Sequence, residues 1–285
     1  MSALIPQELG PLLRWLVVFG LLTARYLLFA GGFFLVFYVI KRKDWFYMKI
    51  QQKFPDKKRI LHEVKYSFLT FAVFGLMVVL INYLRTHGWV QTYGDWNSRP
   101  LWYYIFTSVF IIFFHDAYFY WMHRLMHHPK IYKYVHRVHH MSTDPTPWAA
   151  FSFHPIEAVL EIGFVPILLL SLPIHFSSFL ILSIWMIVFN VIGHLGYEIM
   201  PSWFVRNNFF KWSNTPTNHN MHHRYVNCNY GLYFNIWDRL MGTNHPKYEE
   251  LFEEVTGRRE KVRHEAEVAH QQERLLEDGA HSSLN

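Results

Sequence analysis

Long apolar runs, separated by short segments that hold most of the charge, constrain this chain of 285 residues more than any other feature. A helix crosses a bilayer with about 20 mostly apolar residues, and lipid tolerates no unpaired backbone, so runs of this length imply membrane helices. The runs cover about Leu12 to Ile40, Tyr66 to Leu84, Leu101 to about Trp121, about Ile156 to Leu172, and Phe179 to Val191. The first is longer than one crossing needs and is interrupted by Arg14 and Arg25. Two arrangements fit it: one long tilted helix, or an interfacial segment to about Thr23 followed by a span from Tyr26 to Ile40. Arg25 then snorkels to an interface. The last two runs are short for full crossings and are joined by SLPIHFSS, where Pro173 and the Ser pair mark a turn. They are expected to form a partly submerged hairpin. A content of 52% hydrophobic and 19% aromatic residues agrees with a polytopic membrane chain and not with a typical soluble domain.

Charge orients the spans. The segment 41–65 carries nine Lys/Arg, whereas the loop 85–100 carries Arg85 and Arg99 alone. By the positive-inside rule the first faces the cytoplasm and the second the far side. The third run then returns to the cytoplasmic side before His123. The net charge of +6 is largely this one loop, and no stripe of Lys/Arg with stacking aromatics accompanies it, which argues against nucleic acid as a partner. Cys228 is the only cysteine, so no intrachain disulfide forms. The N-terminal MSALIPQELGPLLRW has neither a basic n-region nor a small-residue cleavage site and reads as retained. From Lys247 onward charges alternate with few apolar anchors, predicting a solvated helix that frays into a disordered tail after Gly279.

Nine histidines recur at related spacings. They are His123 and His127 in HRLMHH, His136, His139 and His140 in HRVHH, and His219, His222 and His223 in HNMHH, with His194 alone at the end of an apolar run. Residues at i, i+3 and i+4 share a helix face, so each group can offer neighbouring imidazoles to a common centre. Neutral imidazole suits iron, zinc, copper and nickel. A tetrahedral zinc takes four protein ligands at most, so nine candidates point to two metals side by side. Topology brings all nine to one membrane face. His128 is placed outside the site, and His115 and His154 are read as packing or orienting residues. His62, His87, His175, His245, His264, His270 and His281 share none of this spacing.

Among the acids, Asp116 stands at the end of an apolar span, seven residues before His123, where an unpaired carboxylate is costly. It could accept the second N–H of a ligand imidazole or pair with Arg124. Glu157, Glu161 and Glu198 are similar candidates, while Asp238 is expected to pair with Arg239 or to cap local structure.

Together DAYFYWMHRLMH from Asp116, YKYVHRVHH from Tyr132, FHP from Phe153, HNMHH from His219, NYG from Asn229 and WDRLMGT from Trp237 resemble the fatty acid hydroxylase / sterol desaturase superfamily, in its sterol C5-desaturase-like branch. The likeness covers about Phe114 to Pro246. It implies an all-α polytopic membrane bundle of about four transmembrane helices, hairpin included, under a cytosolic His-rich helical cap that holds two iron ions. It implies dioxygen and two electrons spent on desaturating or hydroxylating a C–H bond of a lipid, sterol or fatty-acyl in type. The ligand positions it implies are His123, His127, His136, His139, His140, His194, His219, His222 and His223. Where several members carry a further H-x-x-x-H pair, this chain has NVIGH from Asn190 to His194, which leaves one metal with an open or water-filled position. Asp116 and Asn190 are the candidate catalytic residues beside the ligands.

The expected organisation is N-terminal membrane helices over 1–114, a catalytic domain over 115–246 including the hairpin 156–196, and a charged C-terminal helix and tail over 247–285. Phe113, Phe114, Tyr118, Phe119, Trp148, Phe151, Phe153 and Trp185 are expected to supply an apolar substrate slot, and the turn 145–155 to line its entrance. No nucleotide fingerprint, flavin motif or haem-attachment motif is present, so a separate electron donor is expected: a ferredoxin or a cytochrome-b-type haem protein with its NAD(P)H reductase. The basic segment 41–65 could dock it. Zinc could occupy the site by mismetallation. The weighed alternative, a membrane zinc hydrolase, should carry a carboxylate base as in H-E-x-x-H, which this sequence lacks. With no C-terminal dilysine signal, a bacterial inner membrane is expected over the endoplasmic reticulum.

Overall fold

A computed structural model describes residues 9–282, so the N-terminal stretch read as retained lies partly outside the described residues, as do the last three residues of the tail. Four helices, Pro11–Ile40, Lys57–Thr86, Leu101–Met126 and Phe176–Gly193, are long and apolar enough to cross a membrane. Strand is confined to two two-residue pieces among the described residues. The chain is therefore an all-α membrane bundle, with a histidine cluster at one end of it.

The first long helix is continuous, with π-helical stretches at Leu27–Gly31 and Leu35–Ile40. Gly31 lets Trp148 close on it: a Cβ there would stand 3.1 Å from the indole. Arg25 does not snorkel. It sits about 20 Å from either helix end, beyond the reach of its side chain. Its guanidinium instead donates to the Ser183 carbonyl at 3.0 Å and to the Ser183 hydroxyl, on the fourth long helix.

The hairpin also differs from expectation. Its first arm is two short helices, Pro155–Ile162 and Phe164–Ser171, and its second is Phe176–Gly193. At its tip Ile174 and His175 pair in parallel with Thr92 and Tyr93, and the Tyr103 hydroxyl donates to the Pro173 carbonyl at 2.9 Å. The tip thus meets the loop that follows the second long helix, at the end opposite the histidines, and the hairpin runs the length of the bundle. The apolar run understates the second arm, whose helix also takes in Phe176, Ser177 and Ser178 before it and Ile192 and Gly193 after it.

Two apolar clusters hold the helices together. Val18, Leu22, Tyr26, Phe71, Phe74, Phe151, Ile187 and Val191 join the first, second and fourth long helices to the Pro147–Phe151 turn. Ile111, Phe164, Leu168, Leu169, Ile174 and Leu182 join the third to the hairpin.

At the histidine end, the last nine residues of the basic segment are the start of the second long helix, whose N-cap Asp56 accepts the Arg59 N–H. Lys49 is buried and ion-paired to Asp144, with Nζ 3.0 and 3.1 Å from the two carboxylate oxygens. Burial lowers its pKa and the Asp144 charge opposes that shift. Gln51 bridges the Thr143 carbonyl and the Asn220 side chain, tying the segment to the turn after His140 and to the helix that carries His219, His222 and His223. Gly196, at φ +73°, turns the chain away from His194 against the Tyr38 hydroxyl, where a side chain would clash. The last helix, Tyr248–Ser282, buries Tyr248, Phe252 and Val255 in its first turns. Tyr248 and Phe252 pack against Phe204, Val205 and Met221.

Candidate metal centre

All nine histidines converge in two adjacent groups, one of His123, His127, His136, His140 and His222, the other of His139, His194, His219 and His223, each with its ligand atoms within 4.8 Å of one another. All nine are buried. The two triplets are each divided between the groups, while His123 and His127 stay together in the first. On the helix Arg137–His140 and its N-cap, His136 and His140 face the first while His139 faces the second; on Pro216–Tyr225, His219 and His223 face the second while His222 faces the first. Spacing therefore identified the ligands but not their common centres: i and i+4 go together, and i+3 points to the neighbouring group.

The ring nitrogens meet in a way that hydrogen bonding does not explain. In the first group the Nε2 of His123 and His136 lie 2.9 Å apart, and the Nε2 of His140 lies 3.1 Å from those of both His136 and His127. In the second, Nε2 separations are 3.3 Å for His139–His194, 3.0 Å for His194–His219 and 3.2 Å for His219–His223. On five of the rings the opposite nitrogen is occupied, whereas the Nδ1 of His127, His140 and His223 is buried without a partner. His123 Nδ1–H donates to the Tyr230 carbonyl at 2.8 Å, His136 to Glu157 Oε1 at 2.7 Å and His139 to the Ser152 carbonyl at 3.3 Å. His194 donates to the Asn190 carbonyl at 2.7 Å, and His222 to the Cys228 carbonyl at 2.7 Å. A carbonyl only accepts, so His123, His139, His194 and His222 carry their proton on Nδ1 and turn a bare Nε2 lone pair inward. Lone pairs crowded at 3 Å repel unless a cation lies between them. Nitrogens about 2.0–2.1 Å from one ion stand about 2.8–3.4 Å apart at right-angle to tetrahedral bond angles, as found here. His222 Nε2 is buried without a hydrogen-bond partner. The residues fit bound metal.

Burial, reinforced by the neighbouring imidazoles, holds His136, His139, His140, His219 and His223 far below the usual histidine range. His222 is likewise lowered, chiefly by burial, and His194 is lowered to about 4. These rings are thus neutral, the form that ligates.

Local sequence explains how so polar a helix as PTNHNMHHRY is buried. Pro216 opens it, Thr215 caps it by accepting the Asn218 N–H, and Glu198 accepts the Thr217 N–H at 3.0 Å. It ends at Val226, whose φ of +68° is strained for a β-branched residue. The turn there brings the Cys228 carbonyl back to His222.

Of the acids, Asp116 departs from expectation, while Asp238 and Glu157 each take one of the roles expected of them. Asp116 reaches neither an imidazole nor Arg124: its Oδ1 accepts the backbone N–H groups of Tyr233 and Phe234 at 2.9 and 3.2 Å. A carboxylate at this depth pairs with the nearest free donors, and those belong to the loop. Asp238 accepts from the Tyr230 and Gly231 N–H groups and from the Thr243 hydroxyl, not from Arg239. The two aspartates thus fix the loop whose Tyr230 carbonyl orients His123. Glu157 is the carboxylate that meets a histidine.

Asn190 is in neither group. Its carbonyl holds His194, and the residue lines a cavity. This cavity, with an empty volume of about 1220 Å³ counting its open mouth, runs between the long helices from Asn82, Arg85 and Thr92 at the far end to Phe153 and Asn190 at the histidine end. The Phe153 ring stands 5.2 Å from that of His139, so the cavity abuts the four-histidine group. Of the eight aromatics expected to form a slot, Phe151 and Phe153 line it; Phe74, Phe164, Phe176 and Phe179 supply the rest. Phe113 faces outward instead, and Trp148 packs on Tyr26. His115 lines the cavity and contacts the Tyr233 hydroxyl at 2.8 Å, while His128 and His154 cap the helices that follow them.

A family profile described as Fatty acid hydroxylase matches residues 108–243, a span that holds all nine histidines. The chain is 30% identical over 239 residues to a Delta(7)-sterol 5(6)-desaturase of Gibberella zeae, covering 80% of this chain and 71% of that protein. It is 32% identical over 247 residues to a Delta(7)-sterol 5(6)-desaturase of Leptosphaeria maculans, covering 85% and 63% of the two chains. To the lathosterol oxidase of Rattus norvegicus it is 29% identical over 222 residues, covering 76% and 73%. These relatives are fungal and mammalian, and they lend the expected bacterial membrane no support. No solved structure matches the chain.

Proposed function

The chain belongs to the fatty acid hydroxylase / sterol desaturase family, and on that premise we propose that it is a membrane di-iron oxygenase that desaturates or hydroxylates a C–H bond of a sterol-type or other lipid. That it is an oxidoreductase of lipid metabolism follows from the family; the two irons, the use of dioxygen and the lipid are the proposal. The observation that carries it is the pairing of two Nε2-lined histidine groups with an apolar cavity that ends beside one of them. Bound iron would supply the reductive activation of dioxygen that cleavage of an unactivated C–H bond requires.

The chain's own residues do the rest. His123, His127, His136, His140 and His222 would hold one ion, and His139, His194, His219 and His223 the other. Tyr230, Glu157, Ser152, Asn190 and Cys228 fix His123, His136, His139, His194 and His222 through Nδ1, so these five ligands are oriented before any metal arrives. The four-histidine group has one imidazole fewer and faces the cavity, which favours it as the side at which substrate is met. Phe151, Phe153, Phe164 and Leu232 exclude water from the inner end of the cavity and would hold a hydrocarbon against it. The hydrolase alternative gains nothing here, because the carboxylate nearest the groups, Glu157, is engaged by His136.

Electrons would come from a ferredoxin or a cytochrome-b-type carrier with its NAD(P)H reductase. Arg42, Lys43, Lys53, Lys57, Lys58 and Lys65 are exposed on the histidine side and offer such an acidic protein a basic face, with that side cytoplasmic. The test is product analysis. The iron-loaded protein, given reductant, air and lathosterol or a fatty-acyl lipid, should yield an alkene or alcohol, and none under anaerobic conditions. Equal product without oxygen would overturn the reading.

A further inference from the structure

Arg25 stands halfway along a helix long enough to cross a membrane and lines the cavity that leads to the histidines. One terminal nitrogen donates to the carbonyl and hydroxyl of Ser183, and its Nε is buried without a partner. The guanidinium also lies 5.9 Å from the centre of the Phe151 ring. Among the described residues no carboxylate is ion-paired with it; Glu161, the one acid on the cavity wall, makes no such contact. A cation kept at this depth is costly and is retained where something uses it. The cluster beside it is apolar, with Leu22, Phe74 and Phe151, and supplies no carboxylate to pair with an arginine.

We propose that Arg25, together with Ser183, anchors an acceptor oxygen, a hydroxyl or carbonyl, of the lipid that fills this cavity, and that this contact selects which carbon is oxidised. The proposal deepens the lipid-oxidation reading and rests on it for the chemistry. Ser183 and Asn190 lie seven residues apart on one helix, about 10 Å along its axis. An oxygen held at Arg25 therefore places a carbon several bonds away, not the adjacent one, at the inner end beside His139 and His194. A pure hydrocarbon would leave the free guanidinium N–H groups unpaired in an apolar cavity. That mismatch is the basis of discrimination.

Binding tests this apart from turnover. The full-length protein in detergent is titrated with two matched pairs, hexadecanol against hexadecane and lathosterol against its 3-deoxy analogue. For at least one pair the oxygenated member should bind about tenfold or more tightly. Arg25→Met should abolish that preference while leaving affinity for the deoxygenated member within about twofold, and Arg25→Lys should restore part of it. Ser183→Ala, a milder change, should reduce the preference if Arg25→Met does not fold. A wild-type protein that binds the members of both pairs equally, or binds neither, overturns the proposal, as does a preference that survives Ser183→Ala and every folded Arg25 variant. Preference without oxidation of any lipid would leave the anchor standing and remove the oxygenase reading; oxidation without preference would do the reverse.

Discussion

His139 and His140 are neighbours in the chain, yet their Nε2 atoms belong to different histidine groups. His139 meets His194 at 3.3 Å, while His140 meets His127 and His136 at 3.1 Å each. Successive residues on a helix point about 100° apart, so one short turn can feed two centres at once. His222 and His223 do the same from the opposite side. The two HH doublets therefore bind the centres into one unit.

Removing either member of a doublet should cost one ion and not both. His139→Ala and His140→Ala are each expected to lower bound metal from about two ions per chain to about one, with the protein still inserted. Elemental analysis of the purified variants checks this. Complete loss of metal in both variants would mean that the groups do not load separately.

Glu157 should tune the first group without being a ligand. Its Oε1 accepts from His136 Nδ1 at 2.7 Å and so fixes the ring. Glu157→Ala should weaken metal affinity about 10–100-fold with unchanged stoichiometry at saturation. Chelator competition reads the affinity directly, and an unaltered value would refute the role.

Several of these features were legible in the sequence, for reasons that also mark where reading stops. The ligand histidines announced themselves because imidazole doublets at i+3 and i+4 are rare in apolar surroundings, and the long helices because lipid demands uninterrupted apolar runs. The split of each doublet was hidden, since helical spacing gives a shared face but not the position of a second centre. Most ring-orienting partners, at Ser152, Asn190, Cys228 and Tyr230, are backbone carbonyls and leave no trace in residue type. Asp116 misled because its burial cost was clear while its partners, two N–H groups more than a hundred residues away, were not. Arg25 was visible as a charge within an apolar run, but a rule about helix ends does not apply at a helix middle.

Asp116 is a positioning residue for the loop that orients His123. Asp116→Ala would leave the buried Tyr233 N–H and the half-buried Phe234 N–H unpaired, at about 1–3 kcal/mol for the first and less for the second. Thermal denaturation should show that loss, with Asp116→Asn recovering part of it because its amide oxygen still accepts. A variant as stable as the parent would contradict the assignment.

The metal-free protein should be acid-sensitive. His136, His139, His140, His219, His222 and His223 titrate well below the histidine value of 6.5 when folded, mainly through burial. Below about pH 6.5 the unfolded chain binds protons that the folded one refuses, so stability falls as pH falls, by up to about 1.4 kcal/mol per pH unit for each histidine. The melting temperature of the apo protein should hold steady from pH 8 to 7 and drop steeply toward pH 5.5. A flat profile would contradict neutral buried rings.

The most direct test of the account is an anaerobic titration of the purified protein with ferrous iron, followed by dioxygen uptake on adding reductant and lipid. Uptake that rises until about two irons are bound per chain, and then stays level, is the predicted result. Saturation at a single iron, or iron binding with no lipid-dependent uptake at any loading, would contradict a paired-metal oxygenase.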